Sequence, residues 1–300
     1  MIDQKKNLVR MLLEHIVDYA GLFPPAGLSM SQAAANYAEY LNSEYSWMLG
    51  KFIVPVARLQ EFGVSLVKYH PTNAHPGPWQ LSVLAGNDIG ADLLRLTQFQ
   101  NEYQLHIVVD AIELKAASVA EIESAMSYIP DSLETYIEIP INGDPRDFVD
   151  AIARTGARAK VRTGGTTQEM FPTSNDLVRF MKRCVDAKVI FKATAGLHHP
   201  LRASYRLTYE KDSPTGIMYG FLNVVLSTGF LMQGMSEIEA VKLLEEQDIS
   251  AIQFQADTIG WHGNWLMISD IVQTRMKGMV SFGSCSFQEP VSDLKSLNIL

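Results

Sequence analysis

Two lysines sit in the middle of apolar runs. "ARAKVRTGG" (residues 157–165) and "VIFKATAG" (residues 189–196) both read as β-strands, with Lys160 central in one and Lys192 in the other. Strand side chains alternate between faces. Ala159 and Val161 share one face, so Arg158, Lys160 and Arg162 share the other. The same parity groups Lys192 with Thr194, and sets Glu138 apart from Ile137 and Ile139 in "TYIEIPI" (residues 135–141). Paired amines have a chemical use. An amine attacks a carbonyl only when neutral, and a neighbouring cation lowers its pKa. At roughly 6 Å and an effective dielectric of about 20, the repulsion is about 3 kcal/mol. Asp110, which closes "HIVVD", and Glu138 would then move protons on and off a carbinolamine and Schiff base. The plainer reading is a structural layer in which Glu138 neutralises Lys160.

Such residues need a scaffold that aims them at one point. Along the chain, short apolar runs alternate with Gly/Pro/Asn breaks and amphipathic stretches, the pattern of βα units. Eight runs are candidates: residues 20–25, 48–55, 80–86, 105–112, 135–141, 157–165, 189–196 and 251–260. Helical stretches at residues 88–103, 119–129, 145–155 and 174–187 separate many of them. Eight units predict a single (β/α)8 TIM-type barrel over residues 1–300, with a helical extension at 1–19 and a C-terminal appendage at 278–300. The first run, "AGLFPP", is the weakest; without it "MVSFGS" near Met279 supplies the eighth strand. An open doubly wound sheet is the alternative fold. No GxGxxG follows an early strand, so a dinucleotide cofactor has no support, and no cofactor is expected.

Barrel active sites form where strands end. Arg162, Arg202 and the Gly164–Gly165 turn suit a phosphate or carboxylate, through guanidinium and backbone N–H groups. Thr194, His198, His199 and Gln255 complete the expected substrate-binding set. His198 or His199 with Asp257 or His262 gives a competing metal-hydrolase reading, although no H-x-H opens the first strand and no metal ligand is assigned. Residues 197–214 are long for a βα loop and are expected to form a lid or a homo-oligomer contact.

Composition narrows the class. A net charge of −8 and the lack of a Lys/Arg-rich run argue against a nucleic-acid partner or an anionic membrane surface. The most apolar stretch, residues 217–232, is short for a membrane span and contains Asn223 and two glycines, so a buried helix is expected. Cys184 and Cys285 have no CxxC partner, and the N-terminus lacks a signal-peptide core, so a cytoplasmic location is expected.

Residues 159–199, "AKVRTGGTTQEMFPTSNDLVRFMKRCVDAKVIFKATAGLHH", resemble the stretch of deoxyribose-phosphate aldolases between their two active-site lysines. That family reads K-T-S-T-G, a Gly-Gly-Ala-Thr turn, a helix, then K-A-S-G-G-I-R. Here Lys160, Gly164–Gly165, Thr166–Thr167 and Lys192–Ala193–Thr194 follow in similar order. The resemblance implies a barrel in which Lys160 forms the Schiff base, Lys192 depresses its pKa and Asp110 relays protons. It covers about 40 residues; the family's second Gly-Gly is Ala195–Gly196 here, and its final Gly-Ser-Ser turn has no counterpart on residues 251–260. The expected function is therefore an aldolase-like lyase acting on a small anionic carbonyl metabolite. A metal-dependent hydrolase and a non-catalytic binder of a phosphorylated metabolite are the alternatives.

Overall fold

The computed structural model describes residues 2–69 and 77–300. Eight parallel strands close into a barrel: β1 (Val17–Tyr19), β2 (Leu49–Pro55), β3 (Trp79–Leu84), β4 (Ile107–Lys115), β5 (Glu134–Glu138), β6 (Arg158–Arg162), β7 (Phe191–Thr194) and the late strand β13 (Met279–Ser284). β13 lies between β7 and β1, pairing Phe282 with Val17 on one side and with Ala193 on the other. The fold is thus a (β/α)8 barrel.

The outer layer follows from ordinary helix signals. α1 (Ile2–Leu13) precedes β1. α2 (Met30–Leu41) starts with a Ser29–Gln32 capping box. α3 (Leu59–Lys68), α4 (Ile89–Tyr103), α5 (Val119–Met126), α6 (Arg146–Thr155) and α7 (Ser174–Ala187) each follow one barrel strand. Asp88, Ser118 and Thr173 cap α4, α5 and α7 by accepting a backbone N–H three residues on. Gly156 ends α6 in the left-handed conformation, at φ 73°.

Between β7 and β13 the chain makes a long excursion. A hairpin of β8 (Ala203–Arg206) and β9 (Thr215–Met218) leads into α8 (Phe221–Met232) and α9 (Glu237–Leu244). A three-stranded antiparallel sheet follows, of β10 (Ile252–Phe254), β11 (Thr258–Trp261) and β12 (Asn264–Met267), then α10 (Ile268–Lys277). After β13 comes α11 (Gln288–Ser296). The apolar stretch at residues 217–232 divides between the end of β9 and α8, whose residues are buried from Phe221 to Leu231. Among the described residues no helix is long and apolar enough to cross a membrane.

Two expected strands move. Residues 20–25 are a turn region, and the strand is the three residues before it; prolines at 24 and 25 remove the donors a ladder needs. The helical extension therefore ends before residue 17. Residues 251–260 lie outside the barrel. His262 and Gly263, at φ 45° and 81°, form a two-residue hairpin loop that folds β12 back on β11, which commits that segment to antiparallel pairing. Residues 278–300 are accordingly no appendage: Met279–Ser284 closes the barrel.

Candidate active site

The barrel interior carries a chain of charges centred on Glu113. β4 contains an irregularity: Leu81 pairs with Val109 but Ser82 pairs with Ala111, so the register skips Asp110. Beyond it Glu113 projects inward and is 1% exposed. Lys160 and Lys192 are register partners on β6 and β7, and Glu138 is the partner of Lys160 on β5. The parity read from the apolar neighbours holds, for Ala159, Val161 and Ala193 are buried on the opposite side.

The two amines grip opposite oxygens of Glu113. Lys192 Nζ donates to Glu113 Oε1 at 2.6 Å, and Lys160 Nζ pairs with Oε2 at 2.8 Å. Ser82 Oγ donates to Oε1 at 2.6 Å. Lys192 also donates to Asp18 Oδ2 at 2.6 Å, and Ser281 Oγ donates to the same oxygen at 2.8 Å. Lys160 Nζ lies 3.1 Å from Glu138 Oε2, an ion contact in which that oxygen has no aligned hydrogen bond. Glu138 Oε1 accepts from Arg162 Nε at 3.1 Å, and Lys115 Nζ stands 3.9 Å away.

Burial alone would penalise every one of these charges. At Glu113 it pushes the carboxyl up, but Lys160 and Lys192 together hold it well below the ordinary carboxylate range. Glu138 behaves alike: burial raises it, and Lys160 and Arg162 overcome that. Burial would lower Lys192, yet Asp18 and Glu113 raise it above the ordinary lysine value. The expectation that Lys192 acts as an uncompensated cation on Lys160 is therefore corrected: a carboxylate stands between them.

Above this layer, at the C-terminal ends of the strands, lies a cavity of about 310 Å³. Lys160, Glu113 and Glu138 line it together with Arg162, Lys115 and Thr194. Gly165, Thr166 and Ala195 add backbone from the turns after β6 and β7, and Phe23 and Pro24 come from the turn after β1. These turns interlock: a Cβ at Gly196, whose φ is 77°, would sit 2.7 Å from the Gly164 Cα. Thr163 Oγ1 donates to the Ala195 carbonyl at 2.5 Å and ties the same turns together. His198 and Cys285 form a further wall. His198 Nδ1 is 3.2 Å from Ser284 Oγ, 3.3 Å from Glu289 Oε2 and 3.9 Å from Cys285 Sγ. Tyr209, from the loop between β8 and β9, donates to Glu289 Oε2 at 2.8 Å.

Of the residues expected at the site, Lys160, Glu138, Arg162, Gly165, Thr194 and His198 line the cavity. Lys192 lies beneath it, and Gly164 supports its wall against Gly196 and Phe171. The other four lie elsewhere. Asp110 pairs with Lys51, in a group with Glu134 and Arg158 from the N-terminal parts of β5 and β6. His199 is fixed by Asp293 at 2.6 Å and stacks on Tyr205. Arg202 faces Asn223 and Glu245. Gln255 is in the turn between β10 and β11 of the outer sheet, hydrogen-bonded to Thr258. The residues considered for a metal diverge too, with His262 beside Glu246. Among the described residues no group of three or more His, Cys, Asp or Glu is placed to hold a metal ion.

Sequence reasoning missed Glu113, Asp18, Ser82 and Ser281. "AIELK" did hold the signal for the first, since Ile112 and Leu114 flank Glu113 as Ile137 and Ile139 flank Glu138. Compared with protein families, curated proteins and solved structures, the chain finds no match.

Proposed function

We propose that the protein is an aldolase-like lyase that binds a small anionic carbonyl compound as a Schiff base on Lys160. The observation that carries this reading is the placement of Lys160: its amine reaches the cavity floor between Glu113 and Glu138, whereas Lys192 is sealed below. The amine gives a proton to Glu138 Oε2, the oxygen without an aligned hydrogen bond, and adds to the carbonyl carbon. Glu138 returns that proton to the new alkoxide, takes a second one from the nitrogen and gives it to the resulting hydroxyl, and water leaves. The product is an iminium cation in the position of an ammonium. Glu113 is already arranged to balance a positive charge there, so the intermediate meets a prepared environment. Lys192 and Asp18 hold Glu113 in its ionised form and orientation.

The substrate class follows from the lining. Lys115, Lys160, Arg162 and His198 oppose two carboxylates, giving an acidic protein a locally cationic cavity. A lysine on β6, another on β7 and a carboxylate on β4 also fit the resemblance to deoxyribose-phosphate aldolases, with Glu113 taking the part first given to Asp110. The unpaired thiols Cys184 and Cys285 suit a reducing cytoplasm.

One feature favours a second reading. Two carboxylates around Lys160 keep an ammonium in place, which suits a binder of a phosphorylated metabolite. Borohydride separates the two. Protein incubated with C2–C4 aldehydes, ketones and 2-oxo acids is reduced, weighed intact and mapped by peptide. A reduced adduct at Lys160, absent from Lys160→Ala, is expected; no adduct with any compound overturns the lyase reading.

A further inference from the structure

The cavity wall built by the turn after β7 and the end of β13 contains a histidine in an unusual setting. A Cys-His-Glu combination suggests a nucleophilic triad, but a triad places the nucleophile and the orienting acid on opposite ring nitrogens. Here Cys285, Glu289 and Ser284 all gather at His198 Nδ1. Nε2 has no protein partner among the described residues, and the ring lines the cavity. The arrangement is that of an imidazole anchored on one side and offered to a ligand on the other. Tyr209 bonds Glu289 from the hairpin loop, and so holds the anchor itself.

We propose that His198 is a catalytic acid/base residue that exchanges a proton with the substrate oxygen on the β-carbon, two carbon–carbon bonds away from the carbon held by Lys160. This rests on the Schiff-base reading. In cleavage, Nε2 takes the proton of the β-hydroxyl; the O–H electron pair forms the new carbonyl, and the broken C–C bond's pair moves into the iminium to give an enamine on Lys160. In condensation, the imidazolium returns that proton to the alkoxide formed as the enamine carbon attacks an aldehyde. Both directions balance without any co-reactant.

The charge state agrees with this role. Burial would lower the His198 pKa, but hydrogen bonds with Cys285 and Glu289 outweigh it and push the value up to about 9. The other charges facing the ring are Lys160, Arg162 and Lys115 against Glu113 and Glu138 across the cavity, with the His199–Asp293 pair behind. At saturating substrate, condensation turnover should therefore fall as pH rises through about 9, while cleavage turnover rises over the same interval.

The test uses the full-length chain with 4-hydroxy-2-oxobutanoate, 4-hydroxy-2-oxoglutarate and 3-hydroxybutanal, together with the donors they release, pyruvate and acetaldehyde. His198→Gln is expected to lose about 10²–10⁴-fold in C–C cleavage. It should still form the borohydride-trapped adduct on Lys160 and still exchange the donor's α-protons in D2O. Glu289→Gln, which keeps the imidazole, should move the pH limb toward the ordinary histidine value of about 6.5. Wild-type cleavage rates in His198→Gln, or equal loss of exchange and cleavage, overturn the assignment while leaving the Schiff base intact. An unmoved pH limb in Glu289→Gln overturns it as well. Failure of the wild type to trap any probe overturns the Lys160 reading and this one with it.

Discussion

Lys160 and Lys192 face each other in register on adjacent strands, and their ammonium groups bind the two oxygens of one carboxylate, Glu113. Two cations side by side in a barrel repel; two cations bridged by a shared anion form a rigid unit. The unit is asymmetric. Its lower amine has a second carboxylate in Asp18, and its upper amine opens on the cavity. That asymmetry assigns different work to the two lysines.

Lys192 is the structural member. Removing one partner from a buried ionic cluster leaves uncompensated charge and typically costs about 3–5 kcal/mol. Lys192→Met strands Asp18 and leaves Glu113 with Lys160 as its one remaining cation, so urea unfolding should show a loss of that order. Lys160→Ala should destabilise less, because Arg162 and Lys115 still face Glu138. Equal losses in the two variants would contradict the division.

Glu113 and Asp110 occupy the same strand but should respond differently. Glu113→Gln is expected to lower turnover about 10²-fold or more, since the iminium loses its counter-charge. Asp110→Asn breaks a half-exposed pair with Lys51 and should cost at most about 1 kcal/mol, with turnover unchanged. Steady-state kinetics on both variants, corrected for the folded fraction, provides the comparison.

The pKa shifts set the pH range of stability. Glu113 and Glu138 are depressed in the folded state. Their contribution is complete above the unfolded carboxylate value of about 4.3 and is lost as pH falls through the lower folded values. Lys192 is raised, so its contribution persists through neutral pH and fades above about 10.4. His198, raised to about 9, stabilises fully below about 6.5 and loses its share as pH climbs through 9. Urea midpoints measured from pH 3 to 11 should show an acid loss and a smaller step between 6.5 and 9, and His198→Gln should remove only the second.

Gly196 tests the turn geometry. Alanine there faces both a left-handed backbone at φ 77° and a backbone clash with Gly164. The conformational penalty alone is about 1–2 kcal/mol. Gly196→Ala should therefore lower stability and also displace the Ala195–His198 wall, weakening anion binding. Unchanged ligand-induced thermal shifts with 2-oxo acids would show the wall to be more tolerant than this.

Much of the barrel could be read from the chain because short apolar runs recur between helical stretches, and on β5, β6 and β7 apolar residues flank a charged one. Lys160, Lys192 and Glu138 were legible for that reason. Glu113 has the same apolar flanks, but the skipped residue Asp110 reverses the apparent parity halfway along β4, so reading the strand from its start leads to Asp110 instead. Asp18 lies in a strand of three residues, too short to show any period. The eighth strand was misplaced because "AIQFQADTIG" has the apolar content of a barrel strand, and only the His-Gly turn beyond it reveals its antiparallel fate. The His198 cluster joins residues from a loop, a strand end and α11, and no local pattern links those.

The closing strand has a consequence for biosynthesis. Asp18 binds Lys192 across 174 positions and Ser281 across 263. On a ribosome, the first seven staves emerge long before the last, so the ionic centre must wait half-assembled within an unsealed sheet. A nascent chain stalled ahead of residue 279 should stay protease-sensitive, and release of the remainder should convert it in one cooperative step.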